Sequence, residues 1–344
     1  MTHPAFDNVK PVSWKRVNIT GLLVTLYGID ELPNDSGEVT CLWLLHGRGD
    51  TQDSMGYVAG AFLNMWNSRR KPGQKTLICT SIDHRNHGSR AVDDLANVSW
   101  KQGNANHGPD MFNVYTGTAL DVGHLITHLP SYLPFKISEH IACGLSLGGH
   151  ATWALLMNEP RIRAGIVIIG GPDYVRMMTD RAIRSKLPSA VNSDPPGRFF
   201  LGSKDFPQPL VEAVERFDPA GILLGELDAV TGDEHLHPPS EQEKRRLKSI
   251  MTERLAGKKI LCLSGGKDRL VPYKPGGRVF IEWMLRALDK ETGWFNDQAL
   301  ELENIVDDNA RHECSRYMRE EAERWLYNYL AGADLSTSHW DSKL

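Results

Sequence analysis

Ile141-Ala142-Cys143-Gly144-Leu145-Ser146-Leu147-Gly148-Gly149-His150 reads as the end of a buried strand, a sharp turn and the first turn of a helix. Glycines flanking the serine let the backbone bend without a Cβ clash. Together with Ala151 they let the following helix pack closely on a sheet. A turn of this kind lifts the Ser146 hydroxyl above the sheet edge, where a nucleophile would stand. The string Gly-x-Ser-x-Gly is common by itself. Its weight here comes from an acid and a histidine placed downstream, in the order Ser, Asp, His.

Outward from this turn, short apolar runs alternate with helix-length segments. Residues 13–27 alternate loosely and predict an opening hairpin. The runs 41–45, 76–82, 140–143, 164–169 and 259–263 lack strict alternation, as strands covered on both faces do. Residues 300–306 alternate Leu300, Leu302 and Asn304 with Glu301 and Glu303, the pattern of a half-exposed edge strand. Segments 54–69, 113–129, 149–157, 278–288 and 315–331 predict the intervening helices. The order implies an α/β fold: a doubly wound, mostly parallel eight-stranded sheet with helices on both faces.

Residues 174–257 break the rhythm with many prolines and helical pieces near 175–186, 210–217 and 241–255. So long an interval exceeds an ordinary connection and predicts a helical cap inserted after the sixth strand. The expected division is a core over 1–173 and 258–333, the cap over 174–257, and a flexible tail over 334–344.

A chain of 344 residues with 41% hydrophobic and 24% charged residues and a formal charge of −4 is ordinary for a globular protein. No basic bias argues for nucleic acid, and no apolar run approaches the ~20 residues of a membrane span. The start of the chain lacks the charged and apolar regions of a secretory signal. Of the five cysteines, four (Cys41, Cys79, Cys143 and Cys262) fall in strand-like runs and behave as small hydrophobes, so a reducing compartment is expected. The terminal Ser342-Lys343-Leu344 matches the tripeptide read by the peroxisomal import receptor. A peroxisomal address is expected in a eukaryote, and a cytoplasmic one otherwise.

Four motifs resemble the α/β-hydrolase superfamily: Leu44-Leu45-His46-Gly47-Arg48-Gly49, Asp83-His84-Arg85-Asn86-His87-Gly88, the turn at Ser146, and Gly265-Gly266-Lys267-Asp268-Arg269-Leu270-Val271-Pro272. The resemblance covers nearly everything outside the cap. It implies Ser146 as nucleophile, Asp268 as the acid at a strand's carboxyl end, and His312 as general base before the last helix. Asp173 is the runner-up acid, since some members place the acid one strand earlier. The usual glycine before the histidine is Arg311 here. The oxyanion needs two converging N–H donors, expected from Leu147 and Arg48. His46 is expected to stabilise its turn, and the loop over 83–88, with Arg85 and His87, to brace it.

Other features carry less. His124 and His128 sit four apart on a helix without a third metal ligand, and no metal or cofactor is expected. Lys244, Arg245, Arg246 and Lys248 read as a solvated helix face or as a greeting for an anionic substrate. Phe199, Phe200, Leu201 and 222–224 read as the cap's own core or as an acyl pocket, and His235 and His237 receive no role. Fold alone does not give function. The site points to hydrolysis of a small-molecule carboxylic ester, thioester or lactone through an acyl-enzyme. Alternatives are a thioesterase or lipase-like enzyme of peroxisomal acyl metabolism, an acyltransferase, and a non-catalytic binder on the same fold.

Overall fold

Val39–Leu45 (β3), Thr76–Ile82 (β4), Ile162–Ile168 (β6) and Lys259–Gly265 (β7) are buried along nearly their whole length, because helices cover both faces of the sheet they form. The computed structural model describes residues 4–33, 38–225, 236 and 238–335. With Trp14–Ile19 (β1), Leu22–Tyr27 (β2), Ile137–Leu145 (β5) and Glu301–Asp307 (β8), these strands form one eight-stranded sheet in the order β1-β2-β4-β3-β5-β6-β7-β8. β1 and β2 pair as an antiparallel hairpin and β2 runs antiparallel to β4, while every later pairing is parallel. The mostly parallel, doubly wound sheet is the one read from the sequence.

Side chains of each strand alternate between two cores. In β3, Val39, Cys41, Trp43 and Leu45 face one cluster while Leu42 and Leu44 face the other. Met55–Arg69 (α1) and Arg316–Ala331 (α10) cover the second face. His107–His128 (α2), Leu147–Asn158 (α3) and Val279–Leu288 (α9) cover the first. All five cysteines are buried and free.

Between β6 and β7 lie Tyr174–Arg184 (α4), Pro188–Val191 (α5), Gln208–Phe217 (α6), Pro219–Leu224 (α7) and Glu241–Leu255 (α8). α4 is latched to the loop after β7: Arg184 Nη1 donates to the Arg269 carbonyl (2.5 Å) and Arg181 Nη2 to that of Leu270 (2.9 Å). α8, by contrast, lies beside α3. Arg254 donates to the Met157 carbonyl (3.2 Å) and to Asn158 Oδ1 (2.8 Å). Within the span 174–257, then, α4 reaches over the carboxyl edge of the sheet and α8 sits in the layer that flanks it. Phe200 and Leu223 are fully buried, whereas Phe199 is exposed. On α8, Lys244 pairs with Glu241 (2.6 Å) and Arg246 donates to the Leu223 carbonyl (3.0 Å), as a solvated face does. His235, His237 and Ser342-Lys343-Leu344 lie outside the described residues.

Candidate active site

β5 ends at Leu145 and α3 begins at Leu147, so Ser146 takes up the whole turn with φ 55° and ψ −111°. That backbone costs on the order of 1–3 kcal/mol and persists only where neighbours fix it. Here its N–H donates to the Ile168 carbonyl at the end of β6 (2.9 Å), and its carbonyl accepts the His150 N–H (3.1 Å). The strained turn is pinned from both sides.

Three elements bring the predicted trio together. Ser146 Oγ stands 2.8 Å from His312 Nε2, and His312 Nδ1 stands 2.7 Å from Asp268 Oδ2. The other oxygen of Asp268 accepts the N–H groups of Leu270 (2.7 Å) and Val271 (3.0 Å). Burial alone would raise the Asp268 pKa. The hydrogen bond and charge of His312, with the two backbone N–H groups, outweigh it and hold the acid below its ordinary value. The carboxylate therefore stays ionised and fixes His312 with Nδ1 protonated and Nε2 facing the serine. Arg311 does not spoil this geometry, because Gly265 has no side chain: a Cβ there would lie 2.5 Å from the Arg311 carbonyl oxygen.

Asp173 does not reach His312. It caps α4 by accepting the Arg176 N–H (2.9 Å) and pairs with the Arg176 guanidinium (2.7 Å). Burial pushes its pKa up despite that arginine. Asp268, not the runner-up, is the acid in hydrogen-bond contact with the histidine.

A cavity of about 80 Å³ lies above the serine, lined by Gly47, Arg48, Ser146, Leu147 and His312 among others. Both expected oxyanion residues thus border the space in front of Ser146. The turn carrying Gly47 and Arg48 rests on neutral imidazoles. His46 Nδ1 donates to the Gly47 carbonyl (2.7 Å), and His46 Nε2 accepts the His84 N–H (2.9 Å). Burial lowers the His46 pKa to about 4, so the ring stays neutral. Asp83 ties the bracing loop to the same turn by accepting Gln52 N (2.7 Å), Gln52 Nε2 (3.0 Å), Ser89 N (2.8 Å) and Ser89 Oγ (2.7 Å). Arg85 faces away and pairs with Asp121 (2.9 Å).

Asp50, one residue past its motif, also lines the cavity, and two further lining residues lie far from any motif: Met111 on α2 and Arg181 on α4. Neither stands in a recognisable string, and only the packing of α4 onto α2 brings them to the serine. The His124 and His128 rings lie with centroids 4.3 Å apart, tilted by 47°. Among the described residues no group of three or more His, Cys, Asp or Glu side chains could hold a metal ion, and no helix is long and apolar enough to cross a membrane.

No family model matches the chain. "Putative esterase YitV" of Bacillus subtilis (strain 168) is 22% identical over 259 residues, covering 75% of this chain and 79% of that protein. Among solved structures, acylaminoacyl peptidase of Pyrococcus horikoshii superposes with a TM-score of 0.53 at 12% identity. That match covers 95% of this chain, which spans 42% of the peptidase. S-formylglutathione hydrolase of Agrobacterium tumefaciens gives a TM-score of 0.49 at 15% identity, covering 93% of this chain and 94% of the other. By its strand order, by the turn that carries its serine and by its superposition on the peptidase, the chain has the α/β-hydrolase fold.

Proposed function

We propose that the chain is a serine hydrolase that cleaves a small-molecule carboxylic ester, thioester or lactone through an acyl-enzyme on Ser146. The observation that carries this reading is the continuous path from Ser146 Oγ through His312 to a buried, ionised Asp268. His312 Nε2 takes the hydroxyl proton as Oγ attacks the carbonyl carbon, and Asp268 stabilises the imidazolium that forms. The tetrahedral oxyanion receives the N–H groups of Leu147 and Arg48, each such donor being worth about 2.7–4 kcal/mol. Collapse breaks the bond to the leaving group, which departs with the proton from His312. Water, deprotonated by the same imidazole, then attacks the acyl-enzyme and releases the acid and free Ser146.

The curated relative with an esterase name supports ester chemistry. The division of labour follows: 1–173 and 258–333, together with α8 beside α3, act as the hydrolase core, and α4 to α7 act as the cap. Ser342-Lys343-Leu344 supports peroxisomal import in a eukaryotic host, which fusion of a fluorescent protein to the amino end, with and without the tripeptide, would test.

The test of the reaction compares an acyl-CoA and a p-nitrophenyl ester of the same chain length, with Ser146→Ala as control. Turnover of either, lost in the variant, together with a fluorophosphonate adduct on Ser146, supports the reading. Turnover retained by Ser146→Ala overturns it. An intact chain that neither turns over nor labels would return the non-catalytic alternative.

A further inference from the structure

We infer that the substrate carries a carboxylate within a few bonds of the reacting carbonyl, and that the guanidinium groups of Arg48 and Arg181 receive it. This rests on the acyl-transfer reading of Ser146. Both arginines line the small cavity that holds Ser146 and His312. Among the described residues the Arg48 side chain has no hydrogen-bond or ion-pair partner, although it is more than half withdrawn from solvent.

Arg181 is 8% exposed, and its partners are all neutral. Nη1 meets Met111 Sδ (2.9 Å) and His107 Nε2 (3.1 Å), while Nη2 meets the Leu270 carbonyl (2.9 Å) and, more distantly, Met177 Sδ (3.7 Å). His107 can accept only as a neutral ring. Burial and the two arginines keep it so, holding its pKa near 3. Burial and then the charge of Arg48 lower the Arg181 pKa to about 10, and burial lowers that of Arg48.

Asp50 is the one carboxylate among the cavity's lining residues. Among the described lining residues two guanidiniums thus stand against one carboxylate. Taking charges from water is costly unless they are paired, and a guanidinium answers a carboxylate with a matched fork of donors. An arrangement that is unfavourable when empty becomes favourable once an anion enters.

Size fixes where that anion must be. About 80 Å³ accommodates only a few heavy atoms beside the serine. The distant phosphates of a coenzyme A thioester could not reach these guanidiniums while the thioester lies at Ser146. A short acid could, with its carboxylate on either the acyl side or the alcohol side of the ester. Arg181 stands on the cap helix α4 and Arg48 on the core turn, so one carboxylate would bridge the two.

The experiment follows acid release by pH-stat in two matched pairs. Monoethyl glutarate against ethyl pentanoate places the charge on the acyl side; 3-acetoxypropanoate against propyl acetate places it on the alcohol side. In one pair, kcat/KM for the charged ester is expected to exceed the neutral one by about 30-fold or more. Arg48→Met should cut that ratio about tenfold or more, and Arg181→Met likewise if it folds without its link to Leu270. The pair that discriminates identifies the side.

Neutral esters hydrolysed as well as charged ones in both pairs would overturn the inference while leaving the esterase reading intact. Binding is measured apart from turnover by the melting temperature of Ser146→Ala in glutarate, 3-hydroxypropanoate or 1-propanol. A rise with one of the acids only, absent when Arg48→Met is added, supports the anion site even if no ester is cleaved. No rise with either acid at tens of millimolar overturns it.

Discussion

Gly144 and Gly148 face each other across the serine turn so closely that a Cβ on Gly144 would lie 2.0 Å from the Gly148 carbonyl oxygen. A Cβ on Gly148 would in turn lie 2.0 Å from the carbonyl oxygen of Leu45. Both obstacles are backbone, fixed by the β5–α3 junction and by β3, so neither can swing aside. The turn that strains Ser146 therefore exists only because two side chains are missing.

Gly144→Ala and Gly148→Ala are accordingly expected to lower the melting temperature and to cut kcat by at least about a hundredfold. Overpacking costs about 1–3 kcal/mol even where relaxation is possible, and here little is. Gly56→Ala, where a Cβ would meet nothing closer than 3.5 Å and φ is likewise not positive, is the control for replacing a glycine without a clash. Melting curves and turnover of the three variants decide the matter. A near-native Gly144→Ala would mean that the junction is softer than its contacts imply.

The acid can be identified by exchange of one atom. Asp268→Asn removes the acceptor that orients His312 while preserving shape, and turnover is expected to fall about 10⁴-fold, as for triad aspartates generally. Asp173→Asn keeps an oxygen for the Arg176 N–H and leaves the Ser146–His312–Asp268 bonds untouched, so kcat should keep its order of magnitude. Single-turnover rates of the two variants separate the assignments. Equal losses would remove Asp268 from its special position.

Most of the fold was legible because its signals are local. The buried runs of β3, β4, β6 and β7 needed only both-sided coverage to be recognised, and the glycines around Ser146 state their own backbone. What escaped depends on tertiary contact. α2 begins at His107, earlier than the expected 113, because its first turns are held from outside: Tyr174 Oη donates to the Gly108 carbonyl (2.5 Å) and Arg181 meets His107 (3.1 Å). Arg181 itself was invisible, since α4 carries Arg176, Arg181 and Arg184 and nothing in their spacing says which one lines the cavity. The role of α8 beside α3 was hidden for the same reason: composition marked it as cap, and only packing places it.

Asp83 is a junction rather than a reagent. It gathers four donors from Gln52 and Ser89, and these hydrogen bonds outweigh burial to hold its pKa below the ordinary value. Asp83→Ala leaves several buried donors unsatisfied, at about 1–3 kcal/mol each before relaxation. The expected outcome is a drop of several degrees in melting temperature. A fall in kcat that exceeds any change in KM should accompany it, because the loosened turn carries the Arg48 N–H. A stability loss with unchanged kcat would show that the turn holds itself.

Acid should undo the protein through its imidazoles before its carboxylates. In the fold, burial lowers the pKa values of His46, His140 and His150 to about 4 each, whereas an unfolded histidine titrates near 6.5. Between these values the unfolded chain binds more protons than the folded one. The free energy of unfolding therefore rises with pH across the window and is lost on acidification from about pH 6.5 to about pH 4. A gap of that size corresponds to about 3 kcal/mol per group. Asp83 and Asp268, with pKa values held below the carboxylate norm, withdraw their contribution only at lower pH. The melting temperature should thus fall steadily from pH 6.5 to 4. His140→Gln, which can still accept the Trp43 Nε1–H that His140 accepts at 3.2 Å, should make the fall shallower. A flat profile over that window would mean that these rings are already open to protons in the native state.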